Sequence, residues 1–274
     1  MEVIHVTHPI AGSMVTKEPH VMAIGFFDGV HLGHQSLINE AKLIAKKLDV
    51  NFTAMTFDPH PNEVIKFEKN MQYITPLPSK IEKMAALGVK RLFIVSFDLA
   101  FASLSPSDFI NQYILGLQAR HIVVGFDFTF GRKAQGTVDY LKESSKISEF
   151  DVTIVSKKSH NDQKISSPMI RKLLREGNVQ LIPDYLGEFY EIKGTIQQQN
   201  RQSHDNYLGC IAEKKFMLPA PGIYRVDINY GDKTWQGLLS RKNSSLEIKS
   251  ENSWIPESGG RLYDKILKSR TDAA

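Results

Sequence analysis

The sequence is poor in cysteine, with Cys210 alone among its 274 residues. An intramolecular disulfide and a cysteine metal cluster are therefore excluded, and such use of cysteine is typical of a reducing compartment. No stretch approaches the ~18 uninterrupted apolar residues of a transmembrane helix, and the first twenty residues lack the apolar core of a signal peptide. These absences predict a cytoplasmic protein without a membrane partner.

The sequence also lacks a large excess of either charge, since 34 basic and 30 acidic residues leave a formal net charge of +4. The chain lacks the concentrated basic stripe that binds nucleic acid, so no nucleic-acid partner is expected. A mild positive charge does suit small anionic ligands. Hydrophobic residues at 42% and charged residues at 23% are ordinary values for a globular protein with a core.

Short apolar runs alternate with helical patterns over the first two-thirds of the chain. The runs are continuous, which is typical of strands covered on both faces. Strand–helix–strand repetition predicts a parallel sheet wrapped by helices, with its active crevice at the carboxyl ends of the strands. The predicted strands are 21–27, 51–57, 91–97, 121–126 and 151–156, and the predicted helices are 37–48, 79–87 and 107–117.

The pattern changes near residue 187, where helical periodicity fades. Short β-like runs follow, at 190–196, 222–230, 234–240 and 245–249, with a turn at 230–232. The polar stretch 197–206 is predicted to be an exposed loop. We therefore predict two domains, residues 1–186 and residues 187–274, the second all-β and too small for a large barrel.

The segment GFFDGVHLGH, residues 25–34, carries the strongest functional signal. It leads from a strand into an amphipathic helix, and Gly29 and Gly33 permit a tight turn. The helix start offers free N–H groups and a positive dipole end for phosphates. His31 and His34 can face one ligand and stabilise the charge that builds during phosphate transfer. A zinc site is disfavoured because no further ligands stand nearby at the usual spacing, and no protein metal site is predicted.

This segment resembles the signature of the nucleotidylyltransferase superfamily, whose His-x-Gly-His binds ATP phosphates. Its extended form is similar to that of the bacterial bifunctional riboflavin kinase/FMN adenylyltransferases, the FAD synthetases. Three more segments resemble motifs of that family in order and spacing: FDPHP at 57–61, VGFDFTFGR at 124–132 and ISSPMIRKLLR at 165–175. Four ordered motifs are specific, where any one would be weak.

The resemblance implies a Rossmann-like nucleotidyltransferase sheet followed by a small riboflavin-kinase-like β-barrel. It implies an enzyme that moves the adenylyl group of ATP onto FMN, with Mg²⁺ as cofactor, to give FAD and pyrophosphate. The implied catalytic residues are His31, His34 and Arg171. The implied ATP contacts are Gly25, Phe26, Phe27, Asp28, Gly33, Ser166 and Ser167. The implied FMN contacts are Phe57, Pro59, His60, Asp127, Phe128 and Phe130.

The later motifs also have physical interpretations. Residues 58–61 form a rigid turn because of their two prolines. Phe128 and its neighbouring phenylalanines can stack on a flavin or adenine ring, although at least one of them is expected to belong to the core. Ser166 or Ser167 suits a helix N-cap and Pro168 the first helical position. The family usually has Thr where Pro168 stands, so the lost hydroxyl and N–H predict weaker ATP binding.

The second domain departs from the family pattern. Its kinase signature, Gly-x-Pro-Thr-Ala-Asn, supplies a Thr and an Asn for ATP and magnesium. Here Leu208-Gly209 is present but no Pro-Thr-Ala-Asn follows, so no metal–nucleotide site is evident. We therefore predict a barrel that has lost kinase activity.

Three alternatives remain open at this point. The acceptor could be another phosphate, such as phosphopantetheine or glycerol phosphate, because His-x-Gly-His alone does not choose between them. The protein could be a non-catalytic flavin or nucleotide sensor, although both histidines are intact. It could also be a full bifunctional enzyme, which the missing Pro-Thr-Ala-Asn disfavours.

Overall fold

The computed structural model describes residues 1–10, 18–197, 207–230, 233–243, 245–250 and 261–268. By its internal contacts the chain divides into two units: Met1–Met71 with Leu77–Ser159, and Gln72–Pro76 with His160–Ala274. The change from α/β to β structure comes later, after residue 186. The division into domains 1–186 and 187–274 stays a prediction.

The first unit is built on a six-stranded sheet. Its strands are β1 (Glu2–Val6), β2 (His20–Ile24), β3 (Asn51–Asp58), β4 (Arg91–Ser96), β5 (Ala119–Gly125) and β6 (Asp151–Val155). They are ordered β1-β4-β3-β2-β5-β6 and every neighbouring pair is parallel. The five predicted strands are confirmed to within a few residues. β1 was not predicted, because a short edge strand with histidine and glutamate gives a weak apolar signal.

Helices cover the sheet on both sides. They are α1 (Leu32–Leu48), α2 (Pro61–Ile65), α3 (Leu77–Ala86), α4 (Leu99–Ala102), α5 (Pro106–Phe109) and α6 (Val138–Ser145). The predicted helix 107–117 is instead a short α-helix that continues as a π-helix, Ile110–Leu115. Two hydrophobic clusters form the core of this unit. Val21 and Ala23 of β2 belong to one cluster, whereas Met22 and Ile24 of the same strand belong to the other. Alternate residues of a strand point to opposite faces of the sheet. The central strand β2 is therefore buried on both faces, which explains its continuous apolar sequence.

The order of the strands creates a switch point between β2 and β5. The chain passes from β2 to β3 and β4 on one side, and β5 and β6 lie on the other. The loops that leave the carboxyl ends of β2 and β5 therefore diverge and open a crevice, which is where ligands bind in such sheets. Two of the predicted motifs, 25–34 and 124–132, lie at these two strand ends.

The second unit contains a closed antiparallel barrel. Its strands are β9 (Tyr190–Gln197), β10 (Tyr207–Ala212), β11 (Gly222–Tyr230), β12 (Lys233–Lys242), β13 (Ser245–Ser250) and β14 (Arg261–Lys268). They close in the order β10-β13-β12-β11-β14-β9. Alternating residues such as Tyr224, Val226 and Ile228 fill the interior. The predicted barrel is confirmed, although β10 and β14 were not predicted. Of the predicted loop 197–206, Gln197 is instead the last residue of β9. Residues 198–206 and the turn residues 231–232 lie outside the described residues.

Two helices precede the barrel, α7 (Ser167–Glu176) and α8 (Pro183–Leu186), after a small hairpin of β7 (Ser159–His160) and β8 (Gln163–Lys164). Short 3₁₀ turns occur at Arg132–Ala134 and Val179–Leu181. Within the described ranges, no helix has both the length and the apolarity needed to cross a membrane.

Candidate active site

The segment 25–34, here called the nucleotide turn, links β2 to α1. Its backbone is left-handed at Phe27, Gly29 and Val30, with φ of 57°, 86° and 45°. Glycine adopts such a φ without strain, which accounts for Gly29. The Phe27 ring is fully buried in the core beneath Gly25, where an added Cβ would meet it at 3.0 Å. The chain therefore turns tightly at the end of β2 and presents the start of α1 to the crevice.

Two histidines stand together at the start of α1. His31 is the N-cap, and its Nδ1 accepts the His34 backbone N–H at 3.2 Å. A neutral His31 therefore carries its proton on Nε2, where it can be donated to a ligand. The two imidazole rings are stacked, with centroids 3.6 Å apart and planes 14° apart. The structure therefore places the two predicted histidines side by side.

The surroundings of His34 disfavour its charged form. Burial lowers its pKa well below the usual value, and the positive charges of His31 and Lys80 lower it further. Its Nδ1 is buried and has no hydrogen-bond partner among the described residues. His34 is therefore a neutral hydrogen-bond donor near pH 7 rather than a fixed cation.

Lys80 of α3 is a further residue of this region that was not predicted. It is 2% exposed, and its Nζ donates to the Phe26 carbonyl at 2.8 Å. Burial lowers its pKa to about 8, while the carboxylates of Asp28 and Asp58 act in the opposite sense. Its sequence does carry a signal, because Lys80 occupies the apolar face of its helix, four residues before the buried Met84.

An aromatic cavity of about 520 Å³ opens beside the nucleotide turn. It contains many of the predicted site residues: Gly25, Phe26, Phe27, His34, Phe57, Asp127, Phe128 and Phe130. Three further rings that were not predicted as site residues, Phe97, Phe101 and Phe109, also line it. They come from segments with no motif, so no sequence signal distinguished them from core residues.

The remaining predicted residues of the first unit do not line this cavity. Asp28 and His31 are buried in the nucleotide turn, and Gly33 lies in the first turn of α1. Pro59 and His60 follow β3. The His60 Nδ1 accepts the Asn62 backbone N–H at 3.0 Å as the N-cap of α2. The His60 and Phe26 rings are in T-shaped contact, with centroids 4.4 Å apart.

Phe130 fulfils the expectation that one ring of its motif belongs to the core. It is 7% exposed and packs on Phe109 with centroids 5.0 Å apart. Phe128 is half-buried, and Phe126 is exposed and outside the cavity lining.

The fourth motif lies in the second unit. Ser166 is the N-cap of α7 without a side-chain capping bond, Ser167 is its first residue, and Pro168 is second rather than first. The Nη1 of Arg171 lies 3.7 Å from the Met217 sulfur. Over the part of the chain that the structure describes, no group of three or more His, Cys, Asp or Glu side chains is arranged to hold a metal ion.

A parallel sheet with a glycine turn and paired histidines at its switch point has the architecture of a nucleotidyltransferase fold. The family model described as FAD synthetase matches residues 13–169, more than half of the chain. The chain belongs to the FAD synthetase family. The predicted family and enzyme class are confirmed, and this family uses ATP and FMN as substrates.

Individual relatives agree with this assignment. A bifunctional riboflavin kinase/FMN adenylyltransferase from Listeria monocytogenes is 37% identical over 244 residues, 88% of this chain and 77% of the relative. One from Bacillus subtilis is 38% identical over the same shares. A second Listeria monocytogenes relative, named FAD synthetase, is 35% identical over 92% of this chain and 100% of its own length.

A solved structure from Streptococcus pneumoniae, described as a macrolide-efflux protein, has a similar fold. It superposes with a TM-score of 0.89 at 25% identity, covering 99% of this chain and 92% of that one. The two-part architecture of the present chain is therefore also found in that protein.

Proposed function

We propose that the nucleotide turn holds the phosphates of ATP, that the aromatic cavity holds FMN, and that the barrel has no riboflavin kinase activity. The observation that carries the first two proposals is that the nucleotide turn and the aromatic cavity meet at the switch point between β2 and β5. Gly25, Phe26, Phe27 and His34 of the nucleotide turn belong to the lining of the same cavity as Asp127 and Phe128. Adenylyl transfer needs these two substrates side by side.

The chemistry requires no covalent enzyme intermediate. A phosphate oxygen of FMN attacks the α-phosphorus of ATP in line, and the bond to the bridging oxygen of pyrophosphate breaks. His31 and His34 donate Nε2–H to the α- and β-phosphates, and the N–H groups at the start of α1 add to this. Mg²⁺ would be held by ATP itself, and would supply positive charge to offset the negative charge of the phosphates. Asp28 orients the turn from its buried position.

The cavity has the size and character of a flavin site. Its volume of about 520 Å³ falls in the usual range for small-molecule pockets. Phe57 and Phe128 offer aromatic faces for the isoalloxazine ring, with Phe130 supporting them from the core. Asp127 supplies a polar group for the ring edge. Pro59 and His60 are proposed as the outer wall of the site, with His60 in T-shaped contact with Phe26.

The fourth motif is proposed to bind the triphosphate, with Arg171 holding the leaving pyrophosphate. The support is the family motif and the helix start at Ser166 and Ser167. Replacing Pro168 with Thr restores the usual family residue, so we expect P168T to lower the KM for ATP several-fold. Steady-state kinetics at saturating FMN measure this, and an unchanged KM would contradict the weakening ascribed to Pro168.

Loss of kinase activity is proposed from β10. After Leu208-Gly209 this strand continues with Cys210, Ile211 and Ala212, which offer neither the hydroxyl nor the amide that the family uses for ATP and magnesium. The relative named FAD synthetase also carries one activity in its name, whereas the other two relatives carry two.

One assay tests these proposals together. The purified protein is incubated with ATP and Mg²⁺ and with either FMN or riboflavin, and the flavins are separated chromatographically. We expect FAD from FMN and neither FMN nor FAD from riboflavin. Product from riboflavin would refute the loss of kinase activity. Tight flavin binding without any product would refute adenylyl transfer and favour the sensor.

A further inference from the structure

We propose that Lys80 is a positioning residue for adenylyl transfer: its buried ammonium fixes the nucleotide turn to the end of β3 and sets the electrostatic environment of the histidine pair. This inference rests on the proposed function of the nucleotide turn. Lys80 belongs to none of the four motifs, and its ammonium is held by protein groups, so its role is indirect.

The first step is the hydrogen bonding around the Phe26 carbonyl. Lys80 Nζ donates to this oxygen at 2.8 Å, and the Thr56 hydroxyl donates to it at 2.9 Å. Lys80 Nζ and Thr56 Oγ1 are themselves 3.4 Å apart. Three groups from β3, α3 and the nucleotide turn therefore meet at one carbonyl, directly after the strand that carries the turn. A charge-assisted bond of this kind holds a backbone more strongly than a neutral one.

The second step is the aromatic contact with the flavin side. The Lys80 ammonium lies 4.1 Å from the centre of the Phe26 ring, within the range of a cation–π interaction. The same ring makes a T-shaped contact with the His60 ring, with centroids 4.4 Å apart. Because Phe26 lines the cavity and His60 caps α2, Lys80 couples the nucleotide turn to the loop after β3.

The third step is the distribution of charge. Two carboxylates act on the Lys80 ammonium, Asp28 in the turn and Asp58 at the end of β3. The ammonium in turn acts on His34 of α1. His31, stacked on His34, faces the same region. Burial lowers the pKa of Lys80 to about 8, so the ammonium is largely charged at pH 7. That charge opposes protonation of His34 and adds positive potential where a triphosphate would bind.

A purely structural role accounts poorly for this residue. A buried ammonium carries a desolvation cost of several kcal/mol, and an apolar side chain of similar volume often packs as well or better. Charged groups kept inside a protein at such a cost are found mainly at functional sites. The position of Lys80 beneath the nucleotide turn therefore favours a role in binding and transfer.

The test compares three variants with the wild-type protein. Lys80→Met keeps the aliphatic stem without the charge, and Lys80→Arg keeps the charge. Lys83→Met is the matched control, because it makes the same lysine-to-methionine change on the same helix at a side chain that is only partly buried. The pKa of His34 is measured by NMR of ring-labelled histidine without substrates, and FAD formation is followed in parallel.

We expect Lys80→Met to raise the pKa of His34, because a nearby positive charge is removed. We also expect kcat/KM for ATP to fall by about 10–100-fold, since a misplaced binding group has effects of this size. Lys80→Arg should recover most of both properties, and Lys83→Met should change neither. An unchanged His34 pKa in folded Lys80→Met, or normal transfer by it, would overturn the proposal.

A second measurement decides the matter if Lys80→Met does not fold. Wild-type kcat/KM should decline as the pH rises through about 8, because Lys80 loses its proton there. Arginine does not titrate in this range, so Lys80→Arg should lack that decline, and a decline shared by both proteins would overturn the proposal. A wild-type protein that makes no FAD would instead refute the proposed function, while the His34 titration would still report on Lys80.

Discussion

Replacing His34 with alanine gives the most direct test of the nucleotide turn. The His34 ring lines the cavity and is stacked on His31 at 3.6 Å, so the two Nε2 donors serve neighbouring phosphate oxygens in the proposed mechanism. Loss of one donor to a developing negative charge costs ~10²–10³ in turnover, or roughly 2.7–4 kcal/mol. We expect a decrease of that size in kcat for FAD formation.

The fold should tolerate this change. His34→Ala loses contacts of a half-buried ring with Phe27 and His31. It also removes a buried Nδ1 that has no partner among the described residues, and such an atom costs about 1–3 kcal/mol. These effects oppose each other, so the free energy of unfolding should change by no more than about 1 kcal/mol.

The assay is the initial rate of FAD formation from FMN and Mg²⁺-ATP, with thermal unfolding measured on the same samples. His5→Ala is the matched control, because His5 is an exposed histidine on the edge strand β1. His34→Ala with near-normal turnover would refute the assignment. Loss of activity together with loss of folding would show a structural role instead.

Three further predictions concern His31, the flavin cavity and pH. His31→Ala removes the N-cap acceptor of α1, so besides slower transfer we expect a loss of about 1 kcal/mol in the free energy of unfolding; unchanged urea stability would contradict this. Phe128→Ala should raise the Kd for FMN about 3–10-fold in a fluorescence titration, while Phe126→Ala, exposed and outside the cavity lining, should not; equal effects would argue against stacking on Phe128. Burial lowers the pKa of His20 to about 4, so below its ordinary pKa of about 6.5 the unfolded chain takes up a proton that the folded chain does not. Stability should therefore fall by up to about 3 kcal/mol between pH 6.5 and 4, and urea titrations of His20→Phe should show a shallower fall.

Much of the first unit follows from its sequence. Continuous apolar runs identify buried parallel strands because burial on both faces removes the polar alternation, and five of the six strands were predicted from it. The weaker predictions have physical causes. The segment 107–117 has helical periodicity, but its backbone changes from α to π geometry at Ile110, which periodicity does not resolve. Of the two barrel strands that were missed, β10 is short and interrupted by Gly209, and half of the residues of β14 are charged, so each gives little strand signal.

The candidate site divides in the same way. His31 and His34 were predicted as a pair because their spacing and the helix start are local properties, and the structure stacks them. Phe97, Phe101 and Phe109 were not predicted, since each resembles an ordinary core residue until long-range packing brings it to the cavity.

The sequence by itself determined the family, the parallel sheet, the nucleotide turn and its two histidines. These depend on residues close together in the chain, where spacing and backbone conformation decide the geometry. Only the tertiary structure decided which aromatic rings meet in the cavity and that Lys80 lies beneath the nucleotide turn. Burial and its effect on a pKa come from segments distant in sequence, so no local pattern could show that a lysine of α3 acts on a histidine of α1.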